Sequence, residues 1–440
     1  KTQIERLSHP VDERVHRSNS RFMTQINFTP TRAAGLARMA QFQPSMGRHY
    51  SNTRNHDYGP DDRSNLSVLS PWVRNRLITE QELASAALSK FALSTAEKFV
   101  QEVCWRTYWK GWLQHRPKVW DDYLQTRDEA FDQVERNSGL RTAYEEAIEG
   151  RTGIAVFDAW VKELVETGYL ANHSRMWFSS IWIYTLNLPW ELGADFFLQN
   201  LMDGDAASNT LSWRWTGGLH TQGKTYLARA SNIAKYADNR FEREIGPDWR
   251  KGLDRLAKDA PPLNGRANPG AGFILPPDPM PDGPVALLLT EEDLHPASFV
   301  PDGTKILAIA GASSAAERSP KGCSDAVTDF VGGAVENALL DAANLYGTTK
   351  TELPSGNDFH SAALDWARGL STKHIITGEP PFGWVKPYLD RLKSALAEEG
   401  IKLSYIRRDW DDAFWPHAKK GFFGLKKKIP SVLAELGLPV

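Results

Sequence analysis

Residues 203–215 read Asp-Gly-Asp-Ala-Ala-Ser-Asn-Thr-Leu-Ser-Trp-Arg-Trp. Asp205, Asn209 and Trp213 fall at successive i+4 steps, so on a helix they share one face. Two acids around a glycine mark a helix start, because a carboxylate accepts from the unpaired amides of a first turn and complements the positive end of the helix dipole. The same turn could open a calcium loop, but ligands at the later loop positions are missing, and no metal is expected. A capping turn, or a capping turn that also meets a ligand, are the readings left open.

Three upstream segments carry similar patterns. After Gly168, Asn172, Arg175, Met176 and Ser179 stand at i, i+3, i+4 and i+7, as do Glu102, Trp105, Arg106 and Trp109 earlier in the chain. The second set by itself reads first as a partly buried Glu–Arg pair flanked by core tryptophans, and next as a site. Arg63, Ser64, Ser67, Ser70 and Arg74 gather around Pro71, a place that suits a phosphate or an ordinary capping serine.

With 440 residues, 41% of them hydrophobic, the chain is long enough for two cores. Residues 1–45, broken by Pro10, Pro30 and Pro44, read as an N-terminal arm with a short helix near Thr31–Phe42. Residues 46–257 read as a mostly α domain, in which Phe157, Trp160, Val161, Leu164 and Val165 form one buried stripe. A linker follows over 258–284, where prolines from Pro261 to Pro284 exclude a helix or central strand. Over 285–440, β-type runs (Val285–Thr290, Lys305–Ala310, His374–Thr377, Leu403–Ile406) alternate with helical stretches such as Val385–Glu399, the pattern of a Rossmann-like α/β domain with a parallel sheet. Gly311-Ala312-Ser313 is no dinucleotide fingerprint. The sequence has no membrane-length apolar run, a net charge of −2 and two distant cysteines, Cys104 and Cys323. These features predict a soluble cytoplasmic protein without zinc, iron–sulfur cluster or disulfide framework. The 16 tryptophans exceed what an ordinary core needs.

Ser67-Val68-Leu69-Ser70-Pro71-Trp72, Glu102-Val103-Cys104-Trp105-Arg106, Thr167 through Met176 and Asp203 through Trp215 together resemble the FAD-binding domain of DNA photolyases and cryptochromes. They stand in the family's order and near its spacing over residues 45–245. The resemblance implies a noncovalent FAD site built from Tyr58, Ser67, Val68, Leu69, Ser70, Arg74, Arg106, Asn172, Arg175, Asp203, Asp205 and Asn209. In it, the serine segment and Arg74 hold the pyrophosphate and Asn209 faces flavin N5. It implies Glu102, Trp105, Asn172, Met176 and Trp215 as substrate contacts, with the two indoles as stacking walls. Glu102, Asn209, Trp213 and Trp190 become the catalytic set, the two tryptophans as the first stations of an electron relay whose outer station is Trp120, Trp177 or Trp182. The implied activity is that of a deoxyribodipyrimidine photolyase: light-driven repair of pyrimidine dimers in damaged DNA, by electron transfer from reduced FAD to the flipped-out lesion, in a monomer. The alternative is a cryptochrome-like blue-light photoreceptor.

His173, Thr107 and Tyr169 depart from the commonest bacterial repair enzymes, as does the segment Thr216–Gln222. The C-terminal domain resembles the family's antenna domain through His374–Gly378 and Trp384–Ile406. That domain ordinarily precedes the helical one, so a circular permutation is expected, with a possible second chromophore at the strand C-terminal ends. Arg214, Lys224, Arg229 and Lys235 are expected phosphate contacts, ahead of the lysine run Lys419–Lys428 that Phe422 and Phe423 interrupt.

Overall fold

The computed structural model describes residues 28–440, apart from the side chain of Asp238, and the first part of the expected arm lies outside the described residues. From residue 28 onward the arm reading gives way to packed structure. Thr31 caps a helix over Arg32–Phe42 by accepting from Ala34 N, and Trp72 donates its indole N–H to Thr29 O at 2.9 Å. The short helix stands where the sequence places it, and residues 28–45 belong to the helical body.

That body is a stack of helices around aromatic side chains. The Ala155–Thr167 helix buries Phe157, Trp160, Val161 and Leu164 and ends at Gly168, whose φ of 64° is the left-handed stop that glycine adopts freely. Val165, expected in the same stripe, is exposed. At i+8 it stands about 80° round the axis from Phe157, on the side away from Trp160.

Residues 258–284 form no helix or strand, yet they are a fixed strap. Leu263 N donates to Gly217 O, Gly272 N donates to His115 O, and Asp278 accepts from both Lys393 Nζ and Tyr405 N. The strap thus runs from the helical body to the sheet's far edge.

The sheet is parallel throughout: β1 (Val285–Thr290), β2 (Ile306–Ala312), β3 (Lys350–Glu352), β4 (His374–Gly378) and β5 (Lys402–Ile406), in the order β3-β2-β1-β4-β5. β1 is buried along its whole length, as the central strand of a covered sheet must be. β3 escapes the sequence reading because it is a three-residue edge, Lys-Thr-Glu, exposed at every position.

The carboxyl end of β1 docks onto the helical body. Glu291, Glu292 and Asp293 follow β1 directly: Arg74 Nη2 reaches Glu292 at 2.8 Å, Asn75 Nδ2 donates to Glu291 O, and Arg408 pairs with Asp293. Arg76 reaches Asp411 at 2.5 Å and Asp293 at 3.4 Å. Trp410 donates its indole N–H to Thr107 Oγ1 at 2.9 Å, so the Thr107 departure serves the domain contact. A ligand of such a sheet ordinarily sits outside the strand ends. At β1 that place is filled by the Arg74–Arg76 turn.

Candidate functional site

Asp205 is the N-cap of the Ala206–Thr216 helix, accepting from Ser208 N at 2.7 Å. Its Oδ2 faces Lys110 Nζ at 3.3 Å, with Arg106 Nη1 and Arg74 Nε each at 3.9 Å. Burial alone would raise the pKa of this carboxyl, but Lys110, Arg106, Arg74 and the Ser208 amide outweigh burial and hold it far below the usual range. Asp203 is likewise buried and depressed, with Arg175 Nη2 at 2.9 Å and the Ser70 hydroxyl overcoming the cost of burial. Capping and charge organisation are therefore combined in one turn, joined by helices Leu93–Gln114 and Asn172–Ser180 and by the Ser67–Ser70 loop.

The cradle has unused capacity. Asp203 Oδ1, Arg106 Nη1, Lys110 Nζ and Ser208 Oγ are buried without a hydrogen-bond partner among the described residues. A buried polar group without a hydrogen bond costs about 1–3 kcal/mol; Arg106 and Lys110 keep their ion pairs with Asp205, and the four groups together suit a ligand that both donates and accepts. The imide edge and ribityl hydroxyls of FAD have that character, and these residues fit it.

The Ser67–Ser70 loop is held in a strained form. Val68 has φ 52°, unusual for a β-branched residue, and is buried with Leu66, Tyr169 and Ala171, while Arg38 donates to Leu66 O and Ser67 O. Tyr169, another departure, supports Arg63 and Arg175, whose guanidinium carbons lie 4.7 and 5.3 Å from its ring centroid.

Two expected ligands are placed differently. Arg74, expected at the pyrophosphate, is fully buried with its fork spent on Gly204 O at 2.7 Å and on Glu291 and Glu292. It therefore ties the α/β domain to the cradle's back. Tyr58 packs its ring on His56 and receives Arg243 at its carbonyl, with no contact to the Asp203–Asp205 turn among the described residues. Lys110 is the cradle residue that the sequence reading omits, although i+4 from Arg106 was a usable signal.

Asn209 is buried and donates to Ala194 O at 2.8 Å, which fixes its amide. Trp213 packs against Phe197 at 5.1 Å and Trp182 at 6.1 Å. Gly193 makes room for it, since a Cβ there would run into the indole. Trp190 packs instead on Tyr123 at 5.5 Å, and Tyr123 leads to Trp120 at 5.3 Å and on to Trp384 at 6.3 Å from Trp120. Trp177 lies on another branch, with Trp160 and His173.

Glu102 accepts from Arg54 Nη1 at 2.6 Å, and burial lifts its carboxyl above the ordinary range against the pull of Arg54. Trp105 carries the Phe422 ring stacked on one face, centroids 3.7 Å apart and planes at 12°. Trp215 carries Tyr226, at 5.5 Å and 29°. Each expected wall thus has one face already covered. Asn172 is exposed and Met176 half-buried at the start of their helix. Of the expected phosphate contacts, Lys224, Arg229 and Lys235 are exposed, whereas Arg214 is buried and bonded to Asn268 at 2.9 Å.

The helical body thus carries a cradle with unused polar capacity, and the parallel sheet is docked onto its back. Residues 99–244 match the family model described as the FAD binding domain of DNA photolyase. The deoxyribodipyrimidine photo-lyase of Streptomyces griseus is 30% identical over 225 residues, 47% of this chain and 48% of that protein. A counterpart in Thermus thermophilus is 31% identical over 198 residues, 45% of each. Cryptochrome DASH of Idiomarina loihiensis is 26% identical over 230 residues, 49% of this chain and 48% of that protein. The chain spans about half the length of these curated relatives. Its helical part is thus similar to the FAD-binding domain of DNA photolyases and cryptochromes. Among the described residues no helix is long and apolar enough to cross a membrane.

Proposed function

We propose that the chain is a light-driven, FAD-dependent lyase that splits pyrimidine dimers in DNA. The observation that carries this reading is the set of buried groups without a hydrogen bond at Asp203, Arg106, Lys110 and Ser208, of which Arg106 and Lys110 stand on the helix that also presents Glu102 and Trp105. FAD, when bound, supplies the light-absorbing electron donor. Arg106, Lys110, Asp203, Asp205 and Ser208 would hold it, with Arg175 and Ser70 positioning Asp203. Asn209 presents an amide fixed by Ala194 O. Glu102, held by Arg54, presents a carboxyl oxygen to the substrate, and Trp105 and Trp215 supply stacking surface beside Asn172 and Met176. Lys224, Arg229 and Lys235 meet DNA phosphates.

A photoreceptor is the second reading, and one observation favours it: Phe422 of this same chain already lies on Trp105. Irradiating the reduced, FAD-loaded protein with dimer-containing DNA separates the two. Restored pyrimidines support repair. Absent restoration, with FAD retained and a light-dependent change at the Phe422 segment, supports the photoreceptor, and purified protein that releases no FAD on denaturation refutes both. At the end of β1 the Arg74–Arg76 turn fills one of the strand ends, which leaves a second chromophore the ends of the other strands.

A further inference from the structure

Beyond Trp105 along the same segment, Tyr108, Trp112 and Arg116 face a cavity of about 460 Å³ whose other walls include His220, Asn268 and Lys420. It shares no residue with the Asp203–Asp205 cradle or with the expected substrate contacts. Its size falls in the range of small-molecule sites, about 300–1,000 Å³. Three parts of the chain build it: the helical body, the strap at 267–269 and the tail at 420–421.

The wall chemistry is specific. Arg116 is 8% exposed and stacks on Trp112, 4.3 Å from the ring centroid. Its Nε and Nη2 are spent on Pro269 O and Lys419 O, at 2.9 and 2.7 Å, while Nη1 is buried without a partner among the described residues. His220 meets the Tyr108 hydroxyl through Nε2 at 3.0 Å, and its Nδ1 is likewise unpartnered. Burial first, then the charges of Arg214 and Arg116, bring the His220 pKa down to about 3, so the imidazole is neutral at physiological pH. Lys420 stands exposed at the mouth, and no carboxylate lines the cavity among the described residues. The site therefore combines aromatic walls, one unsatisfied guanidinium N–H inside, one ammonium at the entrance and no countercharge.

We infer that this cavity binds a single nucleotide unit, its base against Trp112, Tyr108 and His220 and its phosphate on Arg116 and Lys420. Rings recognise a heteroaromatic base through its π-face, and a guanidinium with a neighbouring ammonium recognises a phosphate rather than a neutral group. The same chemistry is offered by a free mononucleotide and by a nucleotide within a strand.

The test uses the FAD-loaded full chain, so that the cradle does not compete for nucleotide. AMP, dTMP and undamaged octathymidylate are titrated by calorimetry, with adenosine as the uncharged control, against wild type, Lys420→Ala and Arg116→Gln. Binding is expected with adenosine at least about tenfold weaker than AMP, Arg116→Gln about tenfold weaker and Lys420→Ala about threefold weaker, at unchanged FAD content. If the variants weaken AMP and dTMP, the source is free nucleotide; if they weaken octathymidylate alone, it is a strand. Absence of binding by all three probes, or binding that neither variant alters, overturns the proposal. Should Arg116→Gln fail to fold, the surface variant Lys420→Ala carries the decision. Because FAD retention is read in the same samples, loss of the cavity proposal leaves the cradle reading standing, and the reverse.

Discussion

Phe422→Ala asks which face of Trp105 a substrate uses. Phe422 is 4% exposed, stacks on Trp105 at 3.7 Å and 12°, and meets Tyr108 edge-on at 5.6 Å. Truncating a buried phenylalanine costs about 3–5 kcal/mol, of which an aromatic pair accounts for about 0.5–1.5 kcal/mol. A base that takes the face covered by Phe422 must first give up that pair. Removing the ring in advance should therefore tighten binding of dimer-containing DNA by about 2- to 13-fold. Phe422→Leu, which keeps apolar burial but no π-face, should fall between the two. The assay is equilibrium binding of dimer-containing and undamaged DNA at one fixed salt concentration, with FAD content and near-UV circular dichroism as checks on the fold. If the variant keeps its fold and FAD but binds dimer DNA no better than wild type, the Phe422 side of Trp105 is not where the substrate stacks.

Asp205→Asn keeps the capping acceptor for Ser208 N but removes the charge among Lys110, Arg106 and Arg74, so a loss of about 3–5 kcal/mol and of FAD on gel filtration is expected. Asp205→Ala should lose about 1 kcal/mol more for the cap, and an Asn variant with wild-type stability and FAD would sink the charge argument. Arg74→Gln should destabilise the domain contact to a similar extent while the folded fraction keeps its FAD; wild-type melting with lost FAD would return Arg74 to the pyrophosphate. In Asp203, Asp205 and Asp293 the cost of burial is outweighed by the facing cations and hydrogen bonds, so all three carboxyls have depressed pKa values. Their stabilisation is present above the ordinary carboxylate pKa of about 3.9 and is lost as pH falls through the lower folded values. Acid unfolding followed by far-UV circular dichroism should begin below about pH 4, and a midpoint above about pH 5 would contradict this.

What the sequence could express was local. Helical spacing placed Glu102, Trp105 and Arg106 on one helix and Asp205, Asn209 and Trp213 on another, because i+4 geometry is fixed by the helix itself. The β-runs were legible where burial made them continuous, as in Val285–Thr290, and illegible in Lys350–Glu352, where edge exposure leaves no pattern. Partners from distant segments left no such trace. Phe422 gives no sign in its own neighbourhood that it will cover Trp105, beyond two aromatics breaking a lysine run. Arg74 beside a serine-rich turn suggests a phosphate ligand until the acids after β1 are seen to take its donors.

The contacts of Arg74 also show how the α/β part bears on the cradle. Asp205 faces Lys110, Arg106 and Arg74, more positive charge than one carboxylate balances. The excess is met from the other domain: Glu292 pairs with Arg74 and stands 3.8 Å from Lys110, and Glu291 joins Arg74 to Arg318. Charges buried in this way are tolerated only when paired, so the acids at the end of β1 belong to the electrostatics of the cradle as much as to the contact with the sheet. Where the α/β domain lies in the chain order is immaterial to this balance. What the cradle requires is that the carboxyl end of β1 reach the Arg74–Arg76 turn, and the strap from Leu263 to Asp278 fixes the path that brings it there.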